Sequence, residues 1–125
     1  MSYHYEVVLT CFLRADTPDT VLAALRWHLG LDQERPAGLD EDLHPYQLLA
    51  PDPDSRLPGG DFAALSAEGG LHAWGLFSRN HWLDDDLGEL ATIQDLLAPH
   101  VEDPGYGGYF REEHDAEPTV LTFRR

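Results

Sequence analysis

Residues 3–14 read YHYEVVLTCFLR, and this run constrains the fold more than any other. Two-residue alternation sets Tyr5, Val7, Leu9, Cys11 and Leu13 on one side and His4, Glu6, Thr10 and Arg14 on the other. That is the period of a β-strand with one face in a core. An isolated strand is not stable in water, so the rest of the chain must supply partner strands and a layer to cover the apolar row.

The cover follows directly in the sequence. Thr17-Pro18 predicts an N-cap with proline at the first helical position, and Asp19 suits the positive end of the helix dipole. Val21, Leu22, Leu25 and Leu29 then recur at helical spacing until Gly30 closes the segment. Residues 31–60 change character, with Pro36, Pro45, Pro51, Pro53 and Pro58 interrupting an acid-rich run. Structureless loops beyond about 15 residues are uncommon inside compact domains, so this excursion must be functional, partly ordered or a cover for something else. Its middle, His44-Pro45-Tyr46-Gln47-Leu48-Leu49, is apolar enough to be pinned onto the domain.

Beyond it, Phe62–Ser66 and Leu71–Ser78 predict a hairpin around Ala67-Glu68-Gly69-Gly70. Asp84-Asp85-Asp86 precedes Leu87, Leu90, Ile93 and Leu97 at helical spacing, and Pro99 ends that helix. Gly107–Glu113 and Thr119–Arg124 complete the chain as strands joined by a polar turn. The order is strand, helix, excursion, strand, strand, helix, strand, strand. It resembles the ferredoxin-like α+β sandwich, β-α-β-β-α-β, with an added C-terminal strand. The resemblance implies one domain over residues 1–125, an antiparallel sheet, and both helices on one face.

If the helices cover Val7, Leu9, Cys11 and Leu13, the other face shows His4, Glu6, Val8, Thr10, Phe12 and Arg14. The same bookkeeping adds His72, Trp74, Leu76 and Ser78 from the third strand and Tyr109, Arg111 and Glu113 from the fourth. A face so apolar needs a cover, because exposed patches of a few hundred Å² mark partner or ligand surfaces. His4, Glu6, His72, Trp74, Tyr109 and Arg111 are the candidate ligand or interface residues. They combine imidazole, carboxylate, phenol, indole and an anion-binding guanidinium. A second copy, the excursion or a small molecule are the competing covers.

Charge narrows the partners. The chain carries 23 acidic and 8 basic residues, a net charge of −15, which repels nucleic acid. All eight basic residues are Arg, so no lysine is available for a Schiff base, a phosphate loop or proton transfer. Residues 31–60 hold seven acids and two bases, and residues 80–103 hold seven acids and no base. Surfaces of this kind either serve solubility alone, as a solvated charge run does, or steer a basic protein partner.

Other constellations have simpler readings. Asp84–Asp86 are explained by capping and the helix dipole rather than a metal. The seven histidines show no zinc-site spacing, although His72 and His81 near Asp84 form the pair to check. Cys11 is the single cysteine and reads as a small buried hydrophobe. Pro104–Phe110 is glycine-rich but precedes a strand, so it is no phosphate cradle, and Gly108 is expected to admit a bulky neighbour such as Trp27 or Trp82. No apolar stretch approaches a membrane span, and the N-terminus has no basic region, which predicts a cytoplasmic protein. The function expected is a non-catalytic binding protein acting as a homodimer, with a basic protein partner and without cofactor or metal. The alternative is a cofactor-independent enzyme acting on a small hydrophobic or anionic molecule at the sheet face.

Overall fold

The structure, a computed structural model, describes residues 3–124, the side chains of residues 84–86 excepted. It is α+β, with a five-stranded antiparallel sheet and two α-helices. The strands are β1 (His4–Leu13), β2 (Phe62–Ala67), β3 (Trp74–Leu83), β4 (Gly105–Glu112) and β5 (Thr119–Phe123). The helices are α1 (Asp19–His28) and α2 (Leu90–Leu97). The sheet order is β2-β3-β1-β4-β5, which puts β1 between β3 and β4 as its apolar content requires.

The alternation in β1 is realised. Val7, Leu9 and Leu13 are fully buried in one cluster with Leu25 and Leu29 of the α1 segment and Ile93 and Leu97 of α2. Gly30, at φ +77°, ends α1: its N–H donates to the Trp27 carbonyl and the Leu31 N–H donates to that of Arg26. Thr17 does not cap the helix. Its hydroxyl donates at 2.6 Å to the carbonyl of Arg14, closing the turn out of β1 instead. The second helix starts later than the acids suggest, because Asp84–Glu89 winds as a 3-10 turn before α2 begins. The Asp84–Asp86 side chains lie outside the described residues, so their capping role is not assigned.

Two glycines make β4 possible. A Cβ on Gly108 would sit 1.9 Å from the Val8 carbonyl oxygen, and one on Gly107 would sit 2.3 Å from the Phe123 ring. The neighbours admitted are thus the β1 backbone and Phe123, not Trp27 or Trp82. Gly107 is also the extra residue of a bulge between the Tyr106–Thr122 and Gly108–Leu121 pairs. The bulge shifts the parity of the strand and places Tyr106 on the side opposite the helices.

The excursion is held by its middle, as expected. Leu48 and Leu49 are buried in the core, the Trp82 indole N–H donates to the Leu48 carbonyl at 3.1 Å, and the Asn80 amide donates to that of Ala50 at 3.3 Å. Its middle therefore packs on the helical side of the sheet, while its end at Pro58 and Gly60 reaches Arg79 of β3.

Candidate functional site: the open face of the sheet

Strand pairing decides which side chains share the open face. Directly paired residues point the same way. Cys11 pairs with Leu76, Leu9 with Ser78 and Leu13 with Trp74, so Trp74, Leu76 and Ser78 lie on the helical side. This corrects the sequence assignment. The open face instead receives Gly75, Phe77, Arg79 and His81, opposite Phe12, Thr10, Val8 and Glu6. The reason is that both parities of β3 carry large apolar residues, so alternation by itself cannot choose between them. His72 precedes β3 and escapes its alternation. Its ring stacks on Phe12 with centroids 3.7 Å apart, and its Nδ1 lies 2.8 Å from the Glu102 carboxylate.

The open face brings together Glu6, Arg111 and Tyr109. Glu6 is buried, and its two oxygens accept from Arg79 Nε at 2.7 Å and Arg111 Nε at 3.3 Å. Burial pushes the Glu6 carboxyl up, but the two guanidiniums outweigh it and hold the group below its ordinary value. Tyr109 is raised by burial and by the nearby Glu6 carboxylate. Arg79 Nη1 also donates to the carbonyls of Pro58 and Gly60, each at 2.8 Å, tying the end of the excursion to the sheet. Arg111 Nη1 reaches the Asp115 carbonyl at 2.9 Å. His4 stacks on His81, with ring nitrogens 3.0 Å apart.

These pairings use up the acid–base chemistry at this end of the face. An ionised carboxylate clasped by two arginines is a poor proton acceptor, and a phenol raised by burial beside it is a poor donor. Around this knot the face is aromatic and open: Phe12, Phe62, Phe77, Tyr106 and Val120 are all among the exposed large hydrophobics. Phe62 and Phe77 pair with ring centroids 5.9 Å apart.

At the opposite end of β1 lies a half-open groove of about 610 Å³, lined by Thr10, Phe12, Phe77 and Tyr106 with Glu68, Glu102 and Asp103. Glu68 lies across the sheet because Gly75 has no side chain; a Cβ there would meet its Oε1 at 2.6 Å. None of His4, Glu6, His72, Trp74, Tyr109 or Arg111 lines this groove. Sequence reasoning missed Arg79, Phe77, Glu68 and Tyr106 and weighed His81 only as a metal ligand; Arg79, Phe77 and His81 carried a signal, the other parity of β3.

Cys11 is half-buried against the core, and burial pushes its thiol up to about 12, which fits an unreactive residue. His72 and His81 sit at opposite ends of the long strand pair, His81 beside Glu6 and His72 beyond Trp74, so they do not converge. Among the described residues, Glu112, Glu113 and His114 are the acid–histidine group whose ligand atoms lie within 4.8 Å of one another. Two of the three are exposed, and the Glu112 carboxylate already accepts the His114 N–H at 2.9 Å, so the turn explains the cluster without an ion. Among the described residues no helix is long and apolar enough to cross a membrane.

Comparison with protein-family models, with curated proteins and with solved structures finds no match to this chain.

Proposed function

We propose that this chain is a non-catalytic binding protein on a ferredoxin-like framework, acting in the cytoplasm as a homodimer joined through the open sheet face. The observation that carries the reading is the division of labour on that face. Its buried carboxylate, Glu6, is satisfied internally by Arg79 and Arg111, while Phe12, Phe62, Phe77, Tyr106 and Val120 remain exposed across the strands. Aromatic groups around a satisfied polar centre suit a protein interface better than proton-transfer chemistry.

The helical side then faces outward. That side carries an acid from each acid-rich segment, Asp40 and Glu89, within electrostatic reach of His44 of the excursion. Such a surface suits a basic protein partner. The test is sedimentation equilibrium of the whole protein: a dimer that Phe77→Asp dissociates, with the variant's circular dichroism unchanged, supports the reading. A monomer at several hundred micromolar counts against it.

The groove favours a second reading, a cofactor-independent enzyme for a small hydrophobic molecule, because its volume lies in the range of ligand sites. Its acidic rim argues against an anionic substrate there. Chemical-shift changes confined to Thr10, Phe12, Phe77 and Tyr106 on titrating an apolar aromatic compound would support this reading over the first.

A further inference from the structure

The open face is electrically two-ended. Arg79 and Arg111 sit at the half of β1 that starts with His4, opposite Val8 and Glu6 respectively. Glu68, Glu102 and Asp103 rim the groove at the half that ends with Leu13. Four to six residues of strand at about 3.3 Å each, roughly 13–20 Å, separate the levels of Arg79 and Arg111 from that of Glu68 above Gly75, more than a Debye length at physiological salt, so each end acts as its own patch.

The donors and acceptors left over fit this division. Arg79 and Arg111 each commit Nε and Nη1 to Glu6 and to backbone carbonyls; among the described residues neither Nη2 makes a hydrogen bond. At the other end the exposed Glu68 carboxylate lies on the sheet above Gly75, with no cation bonded to it among the described residues. Each end is left with groups that the opposite end of another such face would satisfy.

Resting on the reading of this face as a homodimer interface, we infer that the two copies meet with their β1 strands reversed. The Arg79–Arg111 end of each copy covers the acid-rimmed groove of the other. A two-fold axis crossing the strands at Thr10 and Phe77 gives this arrangement twice by symmetry, because Arg79 and Gly75, over which Glu68 lies, are each two residues from that level on opposite sides. A two-fold axis along the strands would instead lay three carboxylates on three carboxylates and arginine on arginine, in a chain that is already strongly acidic. In the reversed dimer each groove is closed by guanidinium groups from the partner, so the site is complete only when two copies are present.

Two measurements on the whole protein test the orientation separately from association itself. Glu68→Arg, at an exposed position, puts a cation against the partner's arginines and is expected to weaken the dimer by about tenfold in sedimentation equilibrium. The strand-parallel dimer would respond with the opposite sign, because the same change relieves acid–acid repulsion; an unchanged or tighter dimer overturns the inference. The second measurement is pulsed electron resonance on a spin label at Arg14→Cys, just beyond the acidic end of β1. Label separations of about 26 Å are expected for reversed strands, and separations under about 15 Å overturn them. A wild-type chain that stays monomeric defeats the dimer reading beneath the inference, whereas a dimer with short label distances defeats the orientation alone.

Discussion

The backbone N–H of Leu48 donates to Nδ1 of His28 at 3.2 Å, and this bond joins the excursion to the last turn of α1. Because Nδ1 accepts, the imidazole proton resides on Nε2, from which it is donated to Nδ1 of His44, 3.0 Å away. Arg35 caps the arrangement by donating to the carbonyls of His44 and Pro45 and lying 4.4 Å above the Trp27 ring. His28 is fully buried, and burial, with His44 and Arg35 nearby, pushes it down to about 4.

A pH dependence follows from that pair. The folded His28 binds its proton near pH 4, the unfolded one near the ordinary 6.5, so the unfolded chain takes up the proton first as pH falls. Stability is therefore whole above about pH 6.5 and declines toward pH 4, by on the order of 3 kcal/mol. Denaturant unfolding at stepped pH, compared between wild type and His28→Gln, isolates this contribution from the carboxylates. A wild-type curve parallel to the variant's between pH 6.5 and 4 would contradict it.

Glu6→Gln removes the charge that both arginines of the open face address. The loss expected is roughly 1.5–3 kcal/mol, the range for hydrogen bonds to charged groups, at neutral pH. The lowered carboxyl also sets a sign: its contribution is present above the ordinary carboxylate range and lost as pH falls through the depressed value, so the gap between wild type and variant narrows in acid. Chemical denaturation at pH 7 and pH 3 checks both statements.

Gly108→Ala and Gly59→Ala separate two meanings of glycine. Both positions have positive φ, +125° and +83°, but only Gly108 faces a backbone oxygen where the new Cβ must go. Gly59→Ala should cost about 1–2 kcal/mol from backbone strain, with nothing within 4 Å to clash. Gly108→Ala should cost more than about 4 kcal/mol, because β4 must separate from β1 to make room. Thermal unfolding followed by circular dichroism ranks the two, and equal losses would show that strain alone matters.

Cys11 should be protected from thiol reagents. With its thiol pushed up to about 12, the thiolate fraction at pH 8 is on the order of a thousandfold below that of a free cysteine. Ellman's reagent should react slowly with the native protein and rapidly in denaturant. Equal rates would show that the strand opens readily at Cys11.

The one-sided strands and stripes were legible because each element contained only one plausible buried row. Val7, Leu9 and Leu13 in β1, Leu25 and Leu29 around α1, and Leu90, Ile93 and Leu97 in α2 are apolar on one face and polar or small on much of the rest. Leu48 and Leu49 stood out for the same reason, as an apolar pair in an acidic, proline-rich run. The third strand defeated this logic. Trp74, Leu76 and Trp82 compete with Phe77 and Leu83 on the other parity, and two buried polar residues, Ser78 and Asn80, sit on the winning side.

The amino-acid sequence by itself determined the element types, their order, the wall of β1 that meets the helices and the strong negative charge, since periodicity and composition are local properties of the chain. Only the tertiary structure decided which row of β3 lies beside Glu6, that Arg79 rather than Trp74 shares its face, that a bulge at Gly107 turns Tyr106 outward, and that His28 finds His44. Those outcomes depend on strand register and on loops closing across 16 to 73 residues, and energies of pairing between distant segments leave no periodic trace in either segment alone.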